Sequence, residues 1–170
     1  MQMVRRFLVS LFSLWIAILL FMPKQELYYF MEHKLVKYDL KFNEKSITTN
    51  LVGMSIKDLD IYLSGMHIAK VDTCDIKTIL LTTTIDMKDI EIDNSFDGIV
   101  PRDIQSVILS YSLWNPFVVT VWAKGDFGTV RGYISMDGLI HLDFVEQGDI
   151  HLFQKELKKG QNGWYYEEKI

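Results

Sequence analysis

Residues 7–22 form an unbroken run of 16 residues without a charged side chain, FLVSLFSLWIAILLFM, directly after Arg5 and Arg6. A helix that spans a bilayer needs about 20 apolar residues, with a lower limit of about 17. Met3 and Val4 extend the run, and the two arginine side chains can reach outward to the membrane surface. The run therefore predicts a transmembrane anchor within residues 1–23.

Two other interpretations of this run stay open. A cleaved signal peptide has the same basic start and short apolar stretch, but the residues before Lys24 and Gln25 lack the small side chains of a cleavage site. A helix buried in a protein core is the third interpretation. The residues assigned to the anchor and to an aromatic belt at the membrane interface are Arg5, Arg6, Phe7, Trp15, Met22, Tyr28 and Tyr29.

Positive charge before a span marks the cytoplasmic side. The 147 residues after Pro23 would then be exported with 16 Lys+Arg and 22 Asp+Glu, a net charge of −6. In a bacterium this places the protein in the inner membrane, single-pass, with a cytoplasmic N-terminus and a periplasmic C-terminal domain. The lipid bilayer is therefore one expected partner.

The overall composition excludes several classes of function. The net charge of −4 leaves no basic excess to neutralise phosphates, so nucleic acid is not an expected partner. The single cysteine, Cys74, excludes an intrachain disulfide and every metal site built from several cysteines.

Three segments have helical periodicity or punctuation. Residues 24–37 predict a juxtamembrane amphipathic helix whose apolar residues lie on the domain or on the membrane surface. Residues 101–114 predict a second helix, and residues 148–159 a short third one. The apolar positions behind the first two predictions are Leu27, Phe30, Met31 and Leu35, and then Ile104, Val107, Ile108 and Tyr111.

The rest of residues 38–170 alternates apolar and polar positions, as strands do. A one-residue slip at Lys57 and Asp58 indicates a bulge or twist. The last third predicts a meander, in which a two-residue hairpin turn joins residues 129–136 to residues 139–145. The turn and strand positions singled out there are Gly125, Gly128, Gly132, Asp137 and Gly138, of which Gly132 indicates a bulge, a bend or a close approach.

These segments together predict an α+β fold, mainly antiparallel β, preceded by one N-terminal transmembrane helix. The sheet is expected to be open and curved, a half-barrel or jellyroll-like. The expected organisation is a cytoplasmic stub and anchor (residues 1–23), a juxtamembrane helix (residues 24–37) and a periplasmic β-rich domain (residues 38–170).

Catalytic and metal-binding motifs are missing from the sequence. The four histidines, His33, His67, His141 and His151, lack metal-ligand spacing. Acidic neighbours of Cys74 raise the expected thiol pKa, which is the wrong direction for a nucleophile. We therefore expect no catalytic residue, no metal and no cofactor, and the protein is not expected to be an enzyme.

Four stretches resemble the AsmA-like and type II secretion protein N families. The resemblance lies in hydrophobic patterns with glycines, in YYFMEHKLVKYDLKF (residues 28–42), LVGMSIKDLDIYLSG (51–65), IDMKDIEID (85–93) and GDFGTVRGYISMDGLIHLDF (125–144). It implies a non-catalytic, periplasm-facing structural or assembly subunit of a secretion or cell-envelope machine, with other envelope proteins as partners. The alternative is a lipid-binding adaptor similar to the lipopolysaccharide transport adaptor.

Overall fold

Two helices precede a ten-stranded sheet in the computed structural model, which describes residues 2–21, 23–79, 81–160 and 163–169, with the side chains of the first helix as far as Ala17. The helices are α1 (Gln2–Phe21) and α2 (Lys24–Leu35), the latter followed by a 3-10 turn (Val36–Tyr38). The strands are β1 (Leu40–Thr49), β2 (Gly53–Leu63), β3 (Met66–Ile79), β4 (Thr82–Ile92), β5 (Asp103–Ser112), β6 (Asn115–Gly125), β7 (Gly128–Ser135), β8 (Leu139–Gln147), β9 (Lys158–Gly160) and β10 (Gly163–Lys169). A second 3-10 turn, Asn94–Phe96, lies between β4 and β5.

The sheet is an open antiparallel meander. Each strand from β1 to β8 pairs with the next one along the chain, β10 pairs with β8, and β9 lies at the far edge. The prediction of an α+β fold that is mainly antiparallel β, with an open sheet, is therefore confirmed. Because the strands follow chain order, successive hairpin turns alternate between the two ends of the sheet.

The two faces of the sheet differ in polarity, as expected for an antiparallel sheet with one solvated face. The apolar face holds two clusters of buried side chains. The first, across β2 to β4, comprises Met54, Ile56, Leu59, Ala69, Val71, Cys74 and Ile90. The second comprises Phe127, Val130, Phe144 and Leu157, and Phe153 from the segment after β8 packs against it.

A line of irregular backbone crosses the first five strands. The paired positions Glu44–Leu59 and Ser46–Lys57 leave Lys45 and Asp58 between them without ladder partners. The same gap continues through Asp72, Asp89 and Gln105. Asp58 and Asp89 have φ of 49° and 51°, a left-handed conformation that Asp tolerates better than most residues. We call these five positions the kink line.

The kink line reverses which residues face the core. On β3 the buried residues are Ala69 and Val71 before it and Cys74 after it, a spacing of three rather than two. The slip predicted at Lys57 and Asp58 is this line as it crosses β2. A ladder register shift in β2 occurs further on, between Ile61 and Tyr62.

The helix predicted over residues 101–114 is wrong, because this segment is strand β5. The kink line passes between Ile104 and Val107, so the apolar face of the strand repeats at i and i+3. That spacing imitates the helical period. Pairing with β4 and β6 on both sides determines the strand.

Three smaller predictions also need correction. Residues 151–156 form turns rather than a helix, and residues 158–160 form β9. The residues of α2 that lie against the sheet include Tyr28, whereas Phe30 and Met31 are exposed. The turn between β7 and β8 has three residues rather than two.

Candidate functional site

Helix α1 exposes apolar side chains around most of its circumference. Phe7 is 67% exposed, and the apolar side chains next to it have similar exposed fractions. Trp15 stacks on Phe12 with ring centroids 6.0 Å apart. Arg5 and Arg6 lie in the first turns and are exposed. The exposed apolar residues of α1 are Met3, Val4, Phe7, Leu8, Val9, Leu11, Phe12, Leu14 and Ile16.

A surface helix normally confines its apolar residues to one stripe that faces a core. The exposed set in α1 is much wider than one stripe, so the described part of the domain does not cover it. Across the described side chains, no helix has the combined length and apolarity that crossing a bilayer requires. Met22, the last predicted anchor residue, lies outside the described residues.

Helix α2 is fixed to the sheet at two points. The ammonium group of Lys24 donates to the carbonyl oxygens of Asn50, at 3.0 Å, and Leu51, at 2.7 Å. One turn later the Tyr28 hydroxyl donates to Oε2 of Glu44 at 3.3 Å. Burial, and then the charge of Glu44, raise the pKa of Tyr28. The neighbouring Tyr29 is 45% exposed, and its ring packs edge-on against that of Tyr28 with centroids 5.6 Å apart.

Strand β1 is an edge of the sheet. Among the described residues it forms ladder pairs with β2 alone. This strand has ten residues, which is long enough for its free edge to pair with another extended chain. Lys41 and Lys45 place charge on this edge, a common protection against unspecific strand pairing.

The five predicted turn and strand positions all lie in or beside the β6–β7–β8 meander. Gly125 pairs with Gly128 across a two-residue turn, and Gly128 has φ of +100°. Gly132 makes the predicted close approach, since a Cβ there would lie 1.9 Å from the carbonyl oxygen of His141. The Ser135 hydroxyl donates to Asp137, and Gly138 has φ of +87°.

This geometry assigns a structural role to these positions. A positive-φ glycine at the last position of a three-residue loop is typical of a type I turn closed by a bulge. The hydrogen bond from the Gly138 N–H to the Ser135 carbonyl, at 3.0 Å, fits that turn. The hydrogen bond from the hydroxyl of Ser135 lowers the pKa of Asp137 below its ordinary value.

Two histidines lie between pairs of carboxylates, an arrangement that sequence analysis missed. His67 Nδ1 is 3.2 Å from Asp93, and His67 Nε2 is 3.3 Å from Asp60. The hydroxyl and N–H of Ser95, followed by His67, lower the pKa of Asp93 to about 2. Asp60 lies in β2 and Asp93 follows β4. Only the register of the strands places both carboxylates beside the imidazole of His67.

His141 has a similar position on the polar face. Its Nδ1 lies 3.1 Å from Glu167 and its Nε2 lies 3.3 Å from Asp143, while the ring stacks on Tyr133 with centroids 5.5 Å apart. The hydrogen bond with His141 lowers the pKa of Glu167. Asp143 and His141 share a face of β8, as their spacing predicts. The contact with Glu167 joins β8 to β10, so it can stabilise the pairing of these two strands.

Cys74 lies in the first cluster and is 5% exposed. Burial, followed by the charges of Asp75 and Asp86, raises the pKa of its thiol to about 11. The neutral thiol therefore predominates at physiological pH, and this group is not set up as a nucleophile.

A cleft of about 330 Å³ lies beside the kink line and has an acidic lining. Asp72, Asp89, Glu91 and Asp103 contribute carboxylates, and Lys70 contributes an opposing charge. Within the described parts of the chain, His, Cys, Asp and Glu side chains do not gather into a group of three or more that could hold a metal ion. We therefore assign this cleft no ligand.

Comparisons of the chain with protein-family models, with curated proteins and with solved structures each gave no match.

Proposed function

We propose that this chain is a non-catalytic, membrane-anchored component of a bacterial secretion or cell-envelope machine. In this proposal α1 lies in the inner membrane, and the sheet is a periplasmic half-barrel that acts as a structural or assembly subunit. The observation that carries the proposal is the open edge of β1, in a chain whose first helix, α1, exposes a wide apolar surface.

The anchoring part rests on α1 and on the sequence that continues it. The wide apolar surface of α1 needs an apolar environment from outside the described domain. The uncharged run extends through Met22, and Arg5 and Arg6 precede it. A bilayer supplies such an environment, and the arginines favour a cytoplasmic N-terminus.

The assembly part of the proposal rests on β1, the strand at one edge of the sheet. An edge strand offers unpaired N–H and C=O groups, to which a partner can add a strand. Helix α2 contacts β1 and β2 through side chains such as Tyr28, which packs on the first cluster. It therefore covers the apolar face of these strands and leaves the edge of β1 available.

In-cell photo-crosslinking from the edge strand tests the assembly role. A photoreactive side chain replaces Lys41 or Asn43 on β1, and the matched control replaces exposed Lys57 on β2, which has ladder partners on both sides. We expect adducts with defined envelope proteins from β1 and none from Lys57. A β1 edge without protein adducts, or equal adducts from Lys57, would contradict the assembly role.

A reporter tests the topology separately. Alkaline phosphatase fused after Ile170 is expected to be active, because it folds only when exported. An inactive fusion, together with a fluorescent cytosolic fusion at the same position, would reject the proposed orientation.

A lipid-binding adaptor is the second candidate, and the apolar face of the central strands favours it. Leu109, Val121 and Leu142 form one row across β5, β6 and β8, and each is only partly buried. Such a row can hold an acyl chain. Lipid that binds to α1 also co-purifies with the protein, but substitutions in this row of sheet residues do not change its amount.

Lipid analysis of the purified protein distinguishes the two candidates. Val121→Glu changes the apolar face, and Thr120→Glu changes the opposite face at the next residue. If the sheet binds lipid, Val121→Glu lowers the lipid-to-protein ratio and Thr120→Glu does not, with folding checked by circular dichroism. Equal ratios in both variants and the unsubstituted protein would reject lipid binding by the sheet.

A further inference from the structure

Four connections of the meander meet at one end of the sheet. They join β1 to β2, β3 to β4, β5 to β6 and β7 to β8. Backbone hydrogen bonds link each connection to a neighbouring connection or to the strand end beside it: Thr78 N–H donates to Val52 at 2.7 Å, Leu113 N–H to Leu81 at 2.9 Å, and Met136 N–H to Phe117 at 2.9 Å. The connections therefore form one continuous border, which we call the apolar end.

Large apolar side chains are exposed along the whole apolar end. Trp114 is 82% exposed, and each of the four connections contains or directly adjoins at least one such residue. Single exposed apolar residues are ordinary on soluble proteins, but a continuous row of them marks an interaction surface. The exposed residues are Leu51, Val52, Ile79, Leu113, Trp114, Phe117 and Met136.

The opposite end of the sheet is acidic. Its loops carry a carboxylate at nearly every connection, and most of these side chains are exposed. The acidic residues there are Asp39, Asp93, Asp97, Asp103, Asp126 and Asp149. At the apolar end, by contrast, Asp137 lies 3.8 Å from the ammonium group of Lys169. An anionic bilayer surface would repel the acidic end and admit the apolar one.

The start of α2 lies at the apolar end. Lys24 binds the carbonyl groups of Asn50 and Leu51 in the first connection, and α1 ends at Phe21, three residues earlier. Helix α2 then runs back toward Asp39 at the acidic end. The apolar helix and the apolar end are thus joined at the same border of the molecule.

We propose that the apolar end docks into the lipid bilayer, in the same membrane that the proposed function assigns to α1, on which this inference rests. Tryptophan and other aromatic side chains favour the membrane interface, and peripheral elements insert about 5–10 Å into the boundary between headgroups and acyl chains. The strands then stand on the membrane. At about 3.3 Å per residue, the 14 residues of β3 carry the acidic end roughly 45 Å outward.

Spin-label depth measurements on the full chain in vesicles of phosphatidylcholine and phosphatidylglycerol test this docking. Nitroxides are attached at Trp114→Cys and Met136→Cys at the apolar end. Ile99→Cys is the matched control, because Ile99 is 65% exposed but lies in the loop between β4 and β5 at the acidic end. Leu11→Cys reports on α1. Labelling of the unsubstituted protein measures any background from Cys74.

We expect labels at 11, 114 and 136 to be more accessible to oxygen than to an aqueous nickel reagent, with 114 and 136 about 5–10 Å below the phosphates. The label at 99 should show the reverse. If the label at 11 is in lipid while 114 and 136 are as aqueous as 99, the docking proposal fails and the anchor stands. An aqueous label at 11 rejects the anchor, and this inference with it. Dipolar broadening at 114 and 136, with protection from both reagents, would identify a second copy as the occupant and overturn docking to lipid.

Discussion

The hydroxyl of Tyr28 lies 3.3 Å from Oε2 of Glu44, which joins helix α2 to the edge strand of the sheet. Tyr28 also packs on the first cluster, so one side chain supplies both an apolar and a polar contact. This contact fixes where α2 crosses β1, and therefore where the helix begins relative to the apolar end.

Replacing Tyr28 by Phe removes the hydroxyl and keeps the ring. Because the partner is a partly buried carboxylate, we expect a loss of about 1–2 kcal/mol in unfolding free energy. Tyr29→Phe, at an exposed neighbour, should change it by less than about 0.5 kcal/mol. Denaturant titrations in mild detergent measure both. Equal effects of the two variants would contradict the role of the Tyr28–Glu44 contact.

The same contact predicts an alkaline effect. The pKa of Tyr28 is higher in the folded protein than the ordinary value of about 10, so the unfolded chain releases this proton first. Stability should therefore fall as the pH rises above about 10, and Tyr28→Phe should reduce the slope. Unfolding midpoints between about pH 9 and pH 11, one unit either side of the ordinary value, test this.

Asp93 should contribute to acid stability. Its folded pKa of about 2 is below the unfolded value of about 3.9, so its stabilising effect is complete above the unfolded pKa and is lost as the pH falls through the folded pKa. Asp93→Asn should lower the melting temperature at neutral pH, and the difference from the unsubstituted protein should vanish near pH 2. Asp97→Asn is the control in the same loop. A difference that is constant with pH would show that the ionisation of Asp93 is not its source.

Asp89 occupies a left-handed backbone position on the kink line. Glycine relieves the steric strain there by about 1–2 kcal/mol but loses more chain entropy on folding. We therefore expect Asp89→Gly to be more stable than Asp89→Ala by about 0.5–1 kcal/mol. At Glu91, on the same strand with ordinary φ, glycine should instead be the less stable of the two. The same order at both sites would mean that Asp89 is not strained.

Cys74 should resist thiol reagents in the folded protein. Compared with an ordinary thiol pKa of about 8.5, a pKa of about 11 lowers the thiolate fraction at pH 7.5 by about 100-fold or more. Burial adds a steric barrier. Reaction with a chromogenic disulfide should therefore be slow until denaturant is added. Fast labelling without denaturant would place Cys74 at the surface.

The local sequence was sufficient to predict most of the strands of the sheet. The alternation in β2, β4, β7 and β8, and the glycines around the last hairpins, correctly predicted antiparallel strands. The prediction for β5 was wrong because the alternation of apolar and polar residues breaks at Gln105. A single strand cannot show that the same break continues through β1 to β4. The kink line becomes visible only when the strands are aligned.

The candidate site was predictable where it depends on chain-local composition. Gly132 stands out by its position within a strand. The anchor that hydropathy predicts for residues 1–23 stays a prediction. The environments of His67 and His141 depend on register between strands, because Asp93 and Glu167 are each 26 residues from the histidine they contact. The apolar end was missed for the same reason, since its residues come from four separate connections and the strand ends beside them.

The order of strands in this sheet also affects how the protein can be made. From β1 to β8, each strand completes its pairing with the one that follows it, so long loops need not close before structure forms. A chain that is released N-terminus first can thus assemble its hairpins in the order in which they emerge, with β10 and β9 as the closing steps.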